Sequence, residues 1–278
     1  MSGRGGPGRG GVSGAAPHPR RPDIVSRLRA AGCVFAEDEA RLLTSAGRSP
    51  AELSAMVDRR VAGEPLEYVI GWTEFRGLRI AVAPGVFVPR HRTEFLVAEA
   101  IDLAPPGAIV LDVCCGTGGL GLALATAVEG VELHATDIDP AAVRCARLNL
   151  AGAGGHVYQG DLFAPLPASL RGRVDILLAN VPYVPTDAIE LLPREARLYE
   201  ARVALDGGGD GLDVLRRVAA GAPVWMASGG HLLVETTEAQ APAAAEILAG
   251  SGLRPRKATD EDLEATVVIG RWSPVVTG

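Results

Sequence analysis

The sequence predicts an α/β fold: a mostly parallel, doubly wound sheet, preceded by a small helical domain and joined to it by a β-hairpin. Three observations carry this. From residue 108 the apolar runs "AIVLDV", "VELHAT", "HVYQG" and "VDILLAN" alternate with helical patterns, and apolar strands linked by helical crossovers form a parallel sheet covered on both faces. Residues 72–83, "WTEFRGLRIAVA", switch to a period of two, as a half-buried hairpin does. Residues 23–63 are helical throughout, and a chain of 278 residues has room for one large domain and one small one.

Taken in order, residues 1–22 are rich in Gly and Arg and predict a disordered extension. The helical domain follows over 23–70. Its clearest piece is "RSPAELSAMVDRRVAG", with Ser49 as N-cap, Pro50 at the first helical position, Glu52 completing a capping box and Gly63 past the last turn. Leu53, Met56, Val57 and Val61 fall on one face of that helix, which must be buried. The hairpin segment covers 71–88, where "RG" supplies the turn. The large domain, 89–278, opens with a helix through Leu96, Val97, Ala100 and Leu103 that ends at Pro105 and Pro106. Past the four apolar strands come a helix near "GLDVLRRVAAG", a strand "HLLVET", a helix around "APAAAEILAGSG" and two strand-like runs at 253–258 and 265–271. The acidic turn "ATDEDLEA" between these last two predicts a hairpin that closes the sheet with one antiparallel strand.

Composition excludes several classes. Apolar residues are 47% and charged residues 22%, an ordinary soluble balance, and no run reaches the roughly 18 apolar residues that span a bilayer. The head has arginines without an apolar stretch after them, so neither a secretory signal nor an anchor is expected and the cytoplasm is the default location. Net charge is −6, and because the first 22 residues hold four arginines and no acid, the remainder carries −10. An acidic body argues against broad binding to a phosphate backbone. Cys33, Cys114, Cys115 and Cys145 show no C-x-x-C spacing and no clustered His, so reduced thiols are expected, with no metal site.

Doubly wound sheets bind ligands beyond the carboxyl ends of their strands. Three such ends here carry acids or glycines. In "LDVCCGTGGLG", Asp112 ends the first strand, and Gly116, Gly118 and Gly119 let the backbone turn and approach a ligand. Asp137 ends the second strand in "ATDIDP", 25 residues later, where an acid can hold both hydroxyls of a ribose. Asp161, at the end of the third strand in "QGDLF", can accept from an adenine amino group. NAD and S-adenosylmethionine share the ribose, but NAD needs a pyrophosphate at the helix N-terminus, where Asp112 is a poor neighbour. Beside the ammonium of S-adenosylmethionine Asp112 is a good one. The candidate cofactor is therefore S-adenosylmethionine. Its candidate ligands are Asp112, Cys114, Gly116, Thr117 and Gly118 on the loop, and Asp137, Ile138, Asp161, Leu162 and Asn180 at the other strand ends.

The fourth strand stops in "NVPY". The Asn180 side chain and the Val181 carbonyl offer two adjacent acceptors, while Pro182 fixes φ and removes a competing donor. Two acceptors side by side suit a flat NH₂ group whose lone pair then faces a methyl donor, and alignment supplies most of the rate. Tyr183 can pack on the planar group or cover the pocket. Asn180, Val181, Pro182 and Tyr183 are the candidate catalytic set.

These residues resemble the HemK-type protein-(glutamine-N5) methyltransferases, which methylate the glutamine of the GGQ loop in peptide chain release factors. "EPLEYVIGWTEFRGLRIAV" is similar to that family's inter-domain segment, "VFVPRHRTE" to its PRPETE element, "ALDGGGDGLDVLRR" to the segment after NPPY and "LLVETTEAQ" to its E-I-G-x-x-Q strand. The resemblance implies a seven-stranded Rossmann-like S-adenosylmethionine methyltransferase sheet, an N-terminal domain that helps recognise the protein substrate, and a release factor as partner. It places Arg90, Thr93 and Glu94 near the cofactor loop, Arg90 and Glu94 forming a surface ion pair as the alternative. Departures are Val181 for a proline, Cys114 for a glycine, and His91 and Arg92 for proline and glutamate. Competing functions are amino-methylation of a nucleic-acid base, amide methylation of a small molecule, and cofactor binding without turnover.

Overall fold

The structure is a computed structural model, and it describes residues 21–274. The chain divides after Ile70 into two compact units. Residues 1–20 of the expected extension lie outside the described part, whereas Arg21 and Pro22 belong to the first turn of a helix, where a proline sacrifices no intrahelical bond.

The first unit is four helices: α1 (Arg21–Ala30), α2 (Ala36–Ala46), α3 (Pro50–Val61) and a single turn, α4 (Leu66–Ile70). Their apolar faces meet in one core of Ile24, Leu28, Leu43, Leu53, Met56, Val57 and Val69. At the start of α3 the Ser49 hydroxyl accepts from the Glu52 amide at 3.2 Å, a cap that stabilises by about 1 kcal/mol. Glu52 reaches back one residue further than a capping box requires and takes the amide of Arg48 at 2.8 Å. Arg60 of α3 grips Glu39 of α2 with two hydrogen bonds of 2.7 and 3.1 Å.

The second unit opens with the hairpin β1 (Trp72–Phe75) and β2 (Leu78–Ala81). Its two-residue turn, Arg76 and Gly77, has φ of 48° and 71°, the geometry that matches strand twist. The elements α5 (Glu94–Leu103), β3 (Ile109–Val113), α6 (Gly119–Ala127), β4 (Glu132–Asp137), α7 (Pro140–Leu150), β5 (His156–Gln159) and β6 (Val174–Ala179) follow. Then come α8 (Arg194–Tyr199), α9 (Asp213–Trp225), β7 (Met226–Thr236), α10 (Ala241–Gly250), β8 (Leu253–Asp260) and β9 (Ala265–Trp272). The seven-stranded sheet runs β5-β4-β3-β6-β7-β9-β8, and β9 is antiparallel to both neighbours, as the acidic turn predicts.

Strand alternation divides the core in two. Leu111, Val113, Leu177, Ala179, Leu232 and Val234 face α9 and α10, while Val110, Ile176, Leu178, Leu233, Leu133 and Ala135 face α5, α6 and α7. The same period of two sets the polar strand ends. Asp112 pairs in register with Leu178 and Ala135. Asp112, Asp137 and Glu235 therefore fall on the α5–α7 face, and Asn180 continues that row from Leu178. The order reverses at β3, between β4 and β6, where a crevice is expected.

Candidate active site

That crevice is a cavity of about 450 Å³. Its floor is the loop after β3. Gly116 and Gly118 have φ of 54° and 75°, which glycine adopts without strain. Gly118 caps α6, and Thr117 is buried with its hydroxyl accepting from the Gly119 amide at 3.3 Å. Cys114 has φ of 55°, so here a side chain occupies a left-handed position that a glycine would fill freely. Burial pushes the Cys114 thiol well up, so it stays protonated, and it packs against the core on the α9 side.

Asp112 is 1% exposed, and its Oδ2 accepts from the Gly121 amide at 3.1 Å. Burial, with nearby Asp137 adding to it, pushes the carboxyl up to about 7 against the opposing effect of that amide. From β3 this carboxylate takes an amide in the first turn of α6, where a dinucleotide would need its pyrophosphate. Asp137 accepts from the amides of Gly116 and Asp139, both at 2.9 Å, and burial raises it too. Two raised carboxyls in one cavity fit a ligand that brings positive charge. Ile138 lines the same cavity with half its surface exposed, an apolar wall beside the acids. The donor set and the glycine loop fit S-adenosylmethionine.

The segment after β6 supplies the other wall. Asn180 lines the cavity and, among the described residues, its carboxamide makes no hydrogen bond with the protein. The Val181 carbonyl accepts no hydrogen bond there either, while its side chain is 2% exposed in the core. An apolar side chain at 181 thus keeps the packing that a proline would supply. Tyr183 is held at both ends. Its carbonyl accepts from Gln240 Nε2 at 3.0 Å, and its hydroxyl accepts from Arg92 Nη2 at 2.6 Å and donates to Glu235 Oε1 at 3.1 Å. Burial, reinforced by Glu235, pushes the phenol up to about 12. Behind the loop, Gly207 and Gly211 approach so closely that an added Cβ would lie 2.7 Å from the Pro182 carbonyl oxygen and 2.3 Å from that of Tyr183.

Residues 184–206 roof the cavity through Leu192, Pro193, Ala196, Val203 and Leu205, tied to the body by a bridge from Gly85 to Glu200 and drawn together at their own two ends by one from Val184 to Asp206. Arg90 lies over the Phe87 ring at 4.8 Å and pairs with Glu200, which is buried. The anticipated partner, Glu94, instead accepts from the Arg76 amide at 3.2 Å and pairs with His91 at 2.8 Å. The Arg90–Glu94 pair is thus replaced by two separate contacts. Arg90 lines the cavity, whereas Thr93, fully buried, and Glu94 do not.

Nor do Asp161 and Leu162 line it. Asp161 lies two residues past β5 and pairs with Arg217 at 2.5 Å, and Leu162 is buried in the core. Gly118 also stands behind the lining, its Cβ position facing Ala146 and Leu150. Sequence reasoning assigned no role to Glu200, Glu235 or Gln240. The last two are the Glu and Gln of "VETTEAQ", a motif whose spacing could have flagged them; Glu200 had no such signal. Among the described residues no group of three or more His, Cys, Asp or Glu is arranged to hold a metal ion, and no helix is long and apolar enough to cross a membrane.

Comparison with known proteins fits this geometry. Residues 77–228 match the family model described as "Methyltransferase small domain". A release factor glutamine methyltransferase from Geobacter sulfurreducens is 41% identical over 198 residues, 69% of each chain. This chain belongs to the release factor glutamine methyltransferase family. A family member from Cereibacter sphaeroides is 36% identical over 251 residues, 82% of this chain and 88% of its own. A methyltransferase from Pyrococcus furiosus superposes with a TM-score of 0.55 at 14% identity, over 71% of this chain and 90% of that one. That likeness shows the fold.

Proposed function

We propose that this protein transfers a methyl group from S-adenosylmethionine to the side-chain amide nitrogen of a protein glutamine, that of the GGQ loop in a peptide chain release factor, and that it works in the cytoplasm. The observation that carries the reading is the Asn180 carboxamide: it lines the cavity with its hydrogen-bonding groups uncommitted to the protein, beside a tyrosine fixed at both ends.

When bound, S-adenosylmethionine supplies an electrophilic methyl carbon on a sulfonium. The chain's own residues do the rest. Asp112 and Asp137 attract and orient a cation-bearing, ribose-bearing ligand, and Ile138 offers an apolar surface to its base. The Asn180 Oδ1 and the Val181 carbonyl can accept the two N–H bonds of a flat carboxamide, which turns the nitrogen lone pair toward the cofactor side. The ring of Tyr183 bounds the acceptor space. A strong base is not needed, because the amide nitrogen becomes acidic as it is alkylated and sheds its proton to water.

The test is transfer of labelled methyl to a release factor and to a variant whose GGQ glutamine is replaced. Label is expected on the intact loop alone. Asn180→Ala is expected to lower kcat by about a hundredfold while leaving cofactor affinity nearly unchanged, since it removes an interaction made by the acceptor. Label on both release factors, or full turnover by Asn180→Ala, would refute the assignment of the pocket.

A further inference from the structure

Arg92 and Tyr183 line both the cavity described above and a second one of about 540 Å³ beside it, bounded by Thr236, Lys257 and Glu264 among others. The two side chains therefore form the partition between the cavities. The Tyr183 hydroxyl sits between a group that can only donate, the Arg92 guanidinium at 2.6 Å, and a group that when ionised can only accept, the Glu235 carboxylate at 3.1 Å. Arg92 Nε also meets Glu235 Oε1, at 3.4 Å. Glu235 is 3% exposed and its second oxygen is buried without a partner. Arg92 is thus the one cation that compensates this carboxylate among the described residues.

Such an arrangement does more than pack a ring. A phenol bonded on one side only can swing about its Cα–Cβ bond, whereas one clamped between a donor and an acceptor, with its own carbonyl held by Gln240, has a single orientation. We propose that Arg92 and Glu235 are positioning residues: acting through the Tyr183 hydroxyl, they hold its ring as the fixed outer wall of the acceptor pocket, so that the amide presented to Asn180 is confined to a productive pose. Their contribution appears in turnover and not in cofactor binding. The inference rests on the glutamine methyltransferase reading.

A double-mutant cycle on the full chain tests it, with labelled transfer to a release factor at varied S-adenosylmethionine, up to saturation. Arg92→Gln is expected to lower kcat by about tenfold with the cofactor KM within about twofold of the parent, the size of effect that a small misplacement of an acceptor produces. Tyr183→Phe keeps the ring but removes the hydroxyl, and is expected to lower kcat to a similar level. In that background Arg92→Gln should cost less than about twofold in kcat, because the hydroxyl through which Arg92 acts on the ring is already gone, and the loss of its direct contact with Glu235 should show in stability. Equal losses from Arg92→Gln in both backgrounds, or no loss in the parent, would overturn the proposal. Should Arg92→Gln fold poorly, Arg92→Lys retains the charge but loses the fork, and its smaller loss must likewise vanish without the hydroxyl. No transfer by the parent chain would overturn the glutamine reading and this inference with it, whereas transfer with additive losses overturns this inference alone.

Discussion

Asp112 titrates where a cationic ligand can use it. Because its carboxyl stands at about 7 in the folded chain, well above the ordinary carboxylate range, the folded state holds its proton more tightly than the unfolded one. Its stabilising contribution is thus complete below about pH 4 and is lost as pH rises through about 7. An ammonium placed against Asp112 reverses this by favouring the ionised form. The thermal shift induced by S-adenosylmethionine should therefore be larger at pH 8 than at pH 6, and calorimetry in buffers of different ionisation heat should show proton release on binding near pH 7. Asp112→Asn should weaken binding and flatten that dependence; equal shifts at both pH values in the parent would contradict the role. Cys114 poses a second problem at this scale. A left-handed φ costs a side-chain-bearing residue about 1–2 kcal/mol, part of which glycine returns as entropy of the unfolded chain. Cys114→Gly is expected to raise the melting temperature, and Cys114→Val, branched at Cβ, to lower it. Differential scanning calorimetry separates the two, and the reverse order would mean that packing of the thiol outweighs the backbone.

Among the elements, the loop that carries Asn180 is shaped from behind. Gly211 has φ of 78°, and a Cβ there would overlap a main-chain oxygen of Tyr183, which cannot rotate away. Gly211→Ala must push the loop toward the cavity, and is expected to destabilise by about 2 kcal/mol or more and to cut turnover by at least about tenfold, as overpacking against backbone does. Chemical denaturation with an activity assay checks both. By contrast, Gly172→Ala, at a turn where nothing lies within 4 Å, should strain its φ of 71° alone and leave turnover intact. The glycines of "ALDGGGDG" were visible in the sequence, but their target was not: a close approach between two loops has no period. Strands and helices were legible because period two and period 3.6 are local, and the closing hairpin followed from its acidic turn. The roof at 184–206 leaves no such trace, being short turns around the brief helix α8, with apolar residues that face a cavity and not a regular core. Asp161 shows the opposite failure. Its place past the third strand is legible, but an arginine from α9, remote in sequence, pairs with the side chain.

Taken as a whole, the molecule concentrates its candidate chemistry in one unit. All the residues that line the cavity lie between Gly85 and Leu205, and the four-helix unit ending at Ile70 has its own core. The row of Asp137, Asp112, Asn180 and Glu235 is partly legible, since all four stand at or next to strand ends, but only the assembled sheet sets Glu235 beside Asn180. If cofactor binding and methyl transfer belong to the second unit and substrate recognition to the first, cutting the chain before Gly71 should separate them. The shortened chain should fold, since compact units with their own cores generally do, and bind S-adenosylmethionine within about threefold of the full chain, a difference under 1 kcal/mol. With a short GGQ peptide as acceptor the two chains should then have similar kcat/KM, whereas with an intact release factor the shortened chain should lose about tenfold or more, the contribution of a second contact surface. Equal losses on peptide and protein would assign the helices to building the second unit and not to recognising the substrate.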